Sequence, residues 1–374
     1  MRIGVAELPL HYGSAPRWLV GRMKKLSKEI VTILIDEYGR NEFLTRISNP
    51  YWFQAFGCVL GYDWHSSGVT TVVTGVLKTV LKPEEFGIAV CGGKGKTSRQ
   101  TPNEIGVAGD KFNLSTDKIS KLQYTSRMSA KVDNAAIQAN YPLYHHAFMV
   151  TEDGKWAVVQ QGMSVRDKTA RRYHWLSDQV NSFVVEPHTG IVGDRRREIV
   201  LDMTAKESED CRRTSTDLAK EKPERIKRML NSIRPKYQKS LLEWLPKIKE
   251  KEYVTEYLAL PNELNWKALR MVYEFKPTNY EQLLGLKGVG PTTVRGLALV
   301  SDIIYGDRPS WIDPVKYSFA FGGKDGVPFP VQRREYDEAI KVIETAIQQA
   351  KLGNVERIEA LKRLRSYAPP SHIV

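Results

Sequence analysis

The stretch Leu284-Gly-Leu-Lys-Gly-Val-Gly-Pro-Thr-Thr-Val-Arg-Gly-Leu-Ala-Leu299 reads as the end of one helix, a two-glycine turn and the start of another. Gly288 and Gly290 suit the positive-φ conformations of a tight turn, where a Cβ would clash. Pro291 sits where a helix starts and a missing N–H costs nothing. The unpaired N–H groups of that first turn, with the positive end of the helix dipole, make a site for one anion. Lys287 and Arg295 add charge, and Thr292 and Thr293 add hydroxyl donors. A backbone phosphate of DNA fits this set, and nothing in the turn can read a base. The expectation is DNA binding without sequence preference.

Composition agrees with a polyanionic partner. Lys and Arg number 56 against 43 Asp and Glu, a net charge of +13. The chain has 374 residues, enough for two domains with separate cores. No apolar run approaches the ~20 residues that span a bilayer. The opening MRIGVAELPLHYG has no apolar core of signal-peptide length. Cys58, Cys91 and Cys211 form no C-x-x-C pair, so neither a disulfide framework nor a cysteine zinc site is expected. A reducing cytoplasm follows as the expected location.

Outward from the turn, residues 257–374 read as helical, and 201–256 as a charged, helical linker. Residues 1–200 read as a mixed α/β domain, which makes the chain α+β: an N-terminal α/β domain followed by an all-α one. Residues 17–47 carry helical periodicity, and 51–81 form buried helix or strand around the polar insertion Gly61–Gly68. YHHAFMV and KWAVVQQGM flank Thr151-Glu-Asp-Gly154 and predict a β-hairpin, since Asp-Gly favours tight turns. Ser182–Glu186 is a further strand candidate. The loop at 92–96 is no phosphate loop, because the upstream glycine would fall on Val90.

Six of the seven histidines precede residue 190, which points to chemistry in the first domain. Asp63 with His65, and Glu186 with His188, are two apart, and on extended backbone such pairs face one side. Carboxylate oxygen plus imidazole nitrogen suits Mn²⁺ or Zn²⁺. Such a metal would activate water and neutralise charge in phosphodiester hydrolysis. His145 and His146 are adjacent on a strand, so only one can join such a site. Arg172 and His174 are candidates to clamp the scissile phosphate. Gln160 and Gln161 fall on opposite faces of the hairpin. Lys131 and Asp133 match, weakly, the lysine-plus-carboxylate arrangement of many nucleases.

The stretch from 284 to 299 resembles the helix-hairpin-helix motif of DNA repair proteins. Downstream, Asp313 lies seven residues after Gly306 and resembles the catalytic Asp of helix-hairpin-helix glycosylases, which flip out a base. The position of their Schiff-base lysine holds Thr292, so a glycosylase here would be monofunctional. Asp313 followed by Pro314 also reads as a helix start. Phe53-Gln-Ala-Phe-Gly-Cys-Val-Leu-Gly-Tyr-Asp-Trp-His65, Tyr144-His-His-Ala-Phe148, Trp156-Ala-Val-Val-Gln-Gln-Gly-Met163 and Ala170-Arg-Arg-Tyr-His-Trp175 resemble domain-of-unknown-function family 763. That resemblance implies a metal-dependent DNA nuclease with endonuclease and 3′-exonuclease character, largely thermophilic, acting as a homodimer with Mn²⁺ or Mg²⁺. A glycosylase using Asp313 and a non-catalytic DNA-binding or RNA-maturation factor are the rival expectations.

Overall fold

The computed structural model describes residues 17–61, 68–193, 196–233, 261, 264–316 and 333–367. Asp63 and His65 therefore lie outside the described residues, as does 234–256 of the expected linker. Helical periodicity over 17–47 resolves into α1 (Arg17–Tyr38) and α2 (Arg40–Ser48), broken at Gly39 with φ +83°. Asn49 starts α3 (Pro50–Val59) by accepting from the N–H groups of Tyr51 and Trp52 at 2.9 and 3.1 Å. α4 (Gly68–Val80) and the single turn α5 (Pro83–Phe86) lead to β1 (Ile88–Lys94). Residues Gly95–Gln100, expected as a loop, form a 3₁₀ turn that runs into α6 (Thr101–Lys111).

Next come α7 (Thr116–Lys131), a π turn over Val132–Ala136 and the short β2 (Ile137–Gln138). The hairpin expected around Asp153-Gly154 is present as β3 (Leu143–Thr151) and β4 (Trp156–Ser164). β5 (Thr169–Leu176) and β6 (Gly190–Val192) complete a five-stranded antiparallel sheet of order β1-β3-β4-β5-β6. The third strand of the meander is thus Thr169–Leu176, not Ser182–Glu186. Phe183 instead stacks on Trp156, with ring centroids 6.4 Å apart, and caps one sheet face. β7 (Leu201–Asp202) pairs with β2.

Helices cover both faces of the sheet, so its strands are buried through and through. On one face pack Val90, Met149, Ala157, Val159 and Val192, with α1 to α4. Burying a side chain of this size contributes about 1.5–3 kcal/mol. The same layer receives the last two helices, α13 (Arg333–Gln349) and α14 (Asn354–Tyr367), which seat against α1 and α3 through Ile343, Ile347 and Leu364. The opposite face carries Phe148, Val150, Val158, Tyr173 and Trp175 under α6 and α7.

Against that second layer stands a bundle of α8 (Glu209–Ala219), α9 (Pro223–Ile233), α10 (Trp266–Phe275), α11 (Tyr280–Gly285) and α12 (Pro291–Val300). The protein is α+β with an antiparallel sheet and many helices. Its packing does not follow the expected chain divisions. The final helices join the first ones, while α8 and α9, inside the expected linker, pack on the glycine turn's helices.

Candidate functional site

Strand alternation sorts the conspicuous polar residues into two buried rows, one per face. In register, His145 opposes Gln161, which opposes Arg172. That row faces α3 and α4. His145 Nε2 lies 3.0 Å from Thr74 Oγ1, and its Nδ1 is buried without a partner. Gln161 Oε1 accepts from Thr70 Oγ1, and its amide nitrogen donates to the Tyr144 hydroxyl. Arg172 donates from Nε to His174 Nε2 at 2.8 Å and from both terminal nitrogens to Gln54 Oε1 at 3.2 Å. Its guanidinium lies 4.5 Å over the Phe53 ring. Arg172 and His174 thus share one side as their spacing requires, and each fixes the other.

Burial, helped by His146 and Lys94, pushes His145 down to about 3. Burial and then Arg172 hold His174 well below the usual imidazole range. Both rings are therefore neutral at pH 7 and carry lone pairs. A neutral imidazole nitrogen with no partner is the donor type a divalent metal takes.

The second row is His146, Gln160 and Tyr173, facing α7. His146 bonds Ser126 Oγ at 2.9 Å and Gln160 Oε1 at 2.7 Å. Gln160 then donates to the Ser129 carbonyl at 3.0 Å and to Asp133. Asp133 also accepts from Trp175 Nε1 at 3.0 Å and lies 2.5 Å from His188 Nε2. A π turn delivers it: the extra residue after Lys131 swings the carboxylate under the sheet. Lys131 turns elsewhere and donates to the Leu286 carbonyl at 3.1 Å, so the Lys131/Asp133 pair does not converge.

Several expected groupings come apart. Adjacent strand residues His145 and His146 lie on opposite faces, with the sheet between them. Glu186 and His188 do not share a point. Their segment is not a strand, Glu186 has φ +41°, and its carboxylate pairs with Lys206 at the surface. His188 belongs to the row on the α7 face, through Asp133 and a 4.5 Å edge contact to Trp175. Among the described residues, no three His, Cys, Asp or Glu side chains stand together as a metal site.

Asp313 is neither a helix cap nor an accessible acid. Arg171 grips it with two bonds, 3.0 and 2.7 Å, with both side chains at or below 1% exposure. The N–H groups of Arg197 and Val315 donate to the same carboxylate at 2.7 and 3.1 Å. Asp313 anchors the 310–316 segment to β5.

The glycine turn stands at the outer end of the bundle. Gly288 has φ +86°, and a Cβ there would meet Ala268 Cβ at 2.8 Å. Gly290 differs from expectation: its φ is −124°, extended backbone that any residue adopts, and it is the N-cap of α12. Its surroundings are open. Lys287 and Thr292 are exposed beside it, whereas Thr293 is fully buried and Arg295 lies 5.3 Å over the Trp311 ring. Of the expected side chains, then, only Lys287 and Thr292 are exposed at the turn. Asn265 Nδ2 to the Gly288 carbonyl, at 3.2 Å, and Lys131 to the Leu286 carbonyl hold its shape.

Gln54, Thr70, Thr74, Ser126 and Arg171 escaped sequence reasoning. Gln54, Thr70 and Thr74 sit on helices α3 and α4, a stretch that reads as buried and rich in aromatic and β-branched residues, and only a helical-wheel match to the sheet's polar row would have singled them out. No helix among the described residues is long and apolar enough to cross a membrane. No curated protein and no solved structure matches the chain. A family model, described as a protein of unknown function (DUF763), matches residues 4–331, and the chain belongs to that family.

Proposed function

We propose that this protein is a metal-dependent DNA nuclease that holds the duplex backbone through the 286–292 turn, as a helix-hairpin-helix does. The supporting observation is the turn itself: a left-handed Gly288, an open Gly290 and a helix start, with exposed Lys287 and Thr292 alongside. The first N–H groups of α12 have no intrahelical acceptor, and a phosphate satisfies them.

Cleavage falls to the row under α3 and α4. His145 offers a neutral, unpartnered nitrogen, and Arg172 offers a cation held by Gln54 and His174. Asp63 and His65, seven and five residues before Thr70 in the chain, are the sequence's candidates for a carboxylate and a further imidazole ligand. Mn²⁺ or Mg²⁺, when bound by such a set, lowers the pKa of a water and offsets negative charge on the phosphate. Arg172 holds phosphate oxygens. Glu186 and His188 drop out of this ligand set, because His188 lies across the sheet from His145. The buried pairing of Asp313 with Arg171 supports the nuclease reading over a glycosylase that would use Asp313 as its acid. Homodimerisation and a thermophilic setting are proposals drawn from the family resemblance, and a cytoplasmic setting is one drawn from the cysteine content.

Binding and cutting, measured side by side on one labelled duplex, test this reading. Asp63→Ala should bind DNA as wild type and not cut. Lys287→Glu should weaken binding several-fold and retain cutting at saturating protein. Cutting by Asp63→Ala at the wild-type rate would overturn the site assignment.

A further inference from the structure

A cleft of about 330 Å³ opens between the start of α9 and the end of α10. Its lining is dominated by cations. Arg225 is paired with Glu221 at 2.8 Å and Lys220 with Asp217 at 2.9 Å. Lys222, Arg228 and Lys276 also line it, and their side chains make no ion pair among the described residues. Lys276 is held at φ +53°, a left-handed conformation that a non-glycine residue adopts at a cost. Glycine would satisfy the same helix end more easily. Glu224 lines the cleft too and makes no ion pair among the described residues, so the unpaired groups leave the concavity net positive, and an anion relieves the repulsion among the three cations.

The cleft's position says which anion. α10 runs from the glycine turn to the cleft: Ala268, near its start, lies under Gly288, and Lys276 follows its last residue. Those positions are eight residues apart, or ~12 Å along a helix. That separation is the scale of a DNA groove, ~12 Å for the major one. One duplex can therefore present one phosphate to the turn and another to the cleft.

We propose that the cleft of Lys222, Arg228 and Lys276 is a second phosphate site for the same nucleic acid, which sets the duplex's orientation on the bundle. This inference rests on the nucleic-acid reading of the turn. The turn alone makes one contact, about which a duplex can swivel, and a second contact fixes the direction of the strand.

The test is the salt dependence of binding by a fluorescent duplex. The variants are Lys222→Gln with Arg228→Gln, Lys287→Gln, and Lys121→Gln as an exposed lysine of α7. All these side chains are exposed, and unchanged melting temperatures would verify the fold. Each lost phosphate contact lowers the slope of log K against log salt by about 0.9. The cleft double variant should lower it by about 0.9, the one phosphate contact it removes, and Lys121→Gln by nothing. An unchanged slope in the cleft variant with a lowered one in Lys287→Gln would overturn the second site and leave the turn standing. Equal losses in the cleft and Lys121 variants would also overturn it, since binding would then follow net charge alone. If the wild-type protein binds no duplex, both the cleft and the nucleic-acid reading fall.

Discussion

Removing the Asp313 carboxylate separates a structural from a catalytic role most sharply. In the folded protein it takes four bonds: two from Arg171 and one each from the Arg197 and Val315 N–H groups. Asp313→Ala leaves the Arg171 guanidinium with no counter-charge at 0% exposure, stacked 4.7 Å over Tyr141. Breaking one side of a buried pair costs about 3–5 kcal/mol. Orphaned N–H groups raise that, so the expected loss is roughly 5 kcal/mol. Against a typical total of ~5–15 kcal/mol this removes a large share of the stability. Asp313→Asn keeps an oxygen acceptor and should lose about half as much. Arg171→Met in the Asp313→Ala background removes the stranded charge and should restore part of the loss. Urea unfolding followed by tryptophan fluorescence reads all four proteins. If Asp313→Ala unfolds at the wild-type midpoint yet loses DNA-directed activity, the structural reasoning is refuted and the glycosylase acid returns.

Other outcomes follow from the same geometry. His145, His146 and His174 all sit below the imidazole range in the fold, chiefly through burial. The unfolded chain takes up their protons near pH 6.5 and the folded chain does not, so stability is full above that pH and falls as pH drops toward 3. The slope should approach two protons, from His145 and His174, each ~1.4 kcal/mol per pH unit, in unfolding midpoints measured between pH 6 and 4, with His146 adding in the same direction. A stability flat over that window would show that these rings are charged in the fold. Gly288→Ala forces a Cβ at φ +86° against Ala268 and should cost about 1–2 kcal/mol and weaken DNA binding. Gly290→Ala, at φ −124° in open space, should leave stability unchanged, and equal losses in both would contradict the backbone assignment.

The sequence made the local elements legible and left the long-range pairings hidden. Asp153-Gly154 and the alternation on either side marked β3 and β4, and with them the opposite faces of His145 and His146. The glycine turn was readable because Gly288 and Pro291 act on their own neighbours. β5 escaped because Ala-Arg-Arg-Tyr-His does not look like a buried strand. Its two arginines are buried only because Asp313 and Gln54, 142 and 118 residues away, meet them. The same distance concealed Asp313's role: seven residues after Gly306 it matched a catalytic spacing, and only the fold reveals Arg171 beneath it. Two-residue spacing puts Glu186 and His188 on one side only on extended backbone, and here their segment is a loop with a left-handed Glu186. The final helices read as charged helices from the chain, but charge does not name the surface they cover, here α1 and α3.

The central claim is that this chain cuts DNA with a metal. Labelled duplex and bubble DNA, incubated with the purified protein and Mn²⁺, Mg²⁺ or EDTA, would be resolved on a denaturing gel with and without alkali. The account predicts fragments with metal, none with EDTA, and no need for alkali. Fragments that appear only after alkali and persist in EDTA would contradict it and indicate base excision; intact DNA in every lane would leave a binding protein without catalysis.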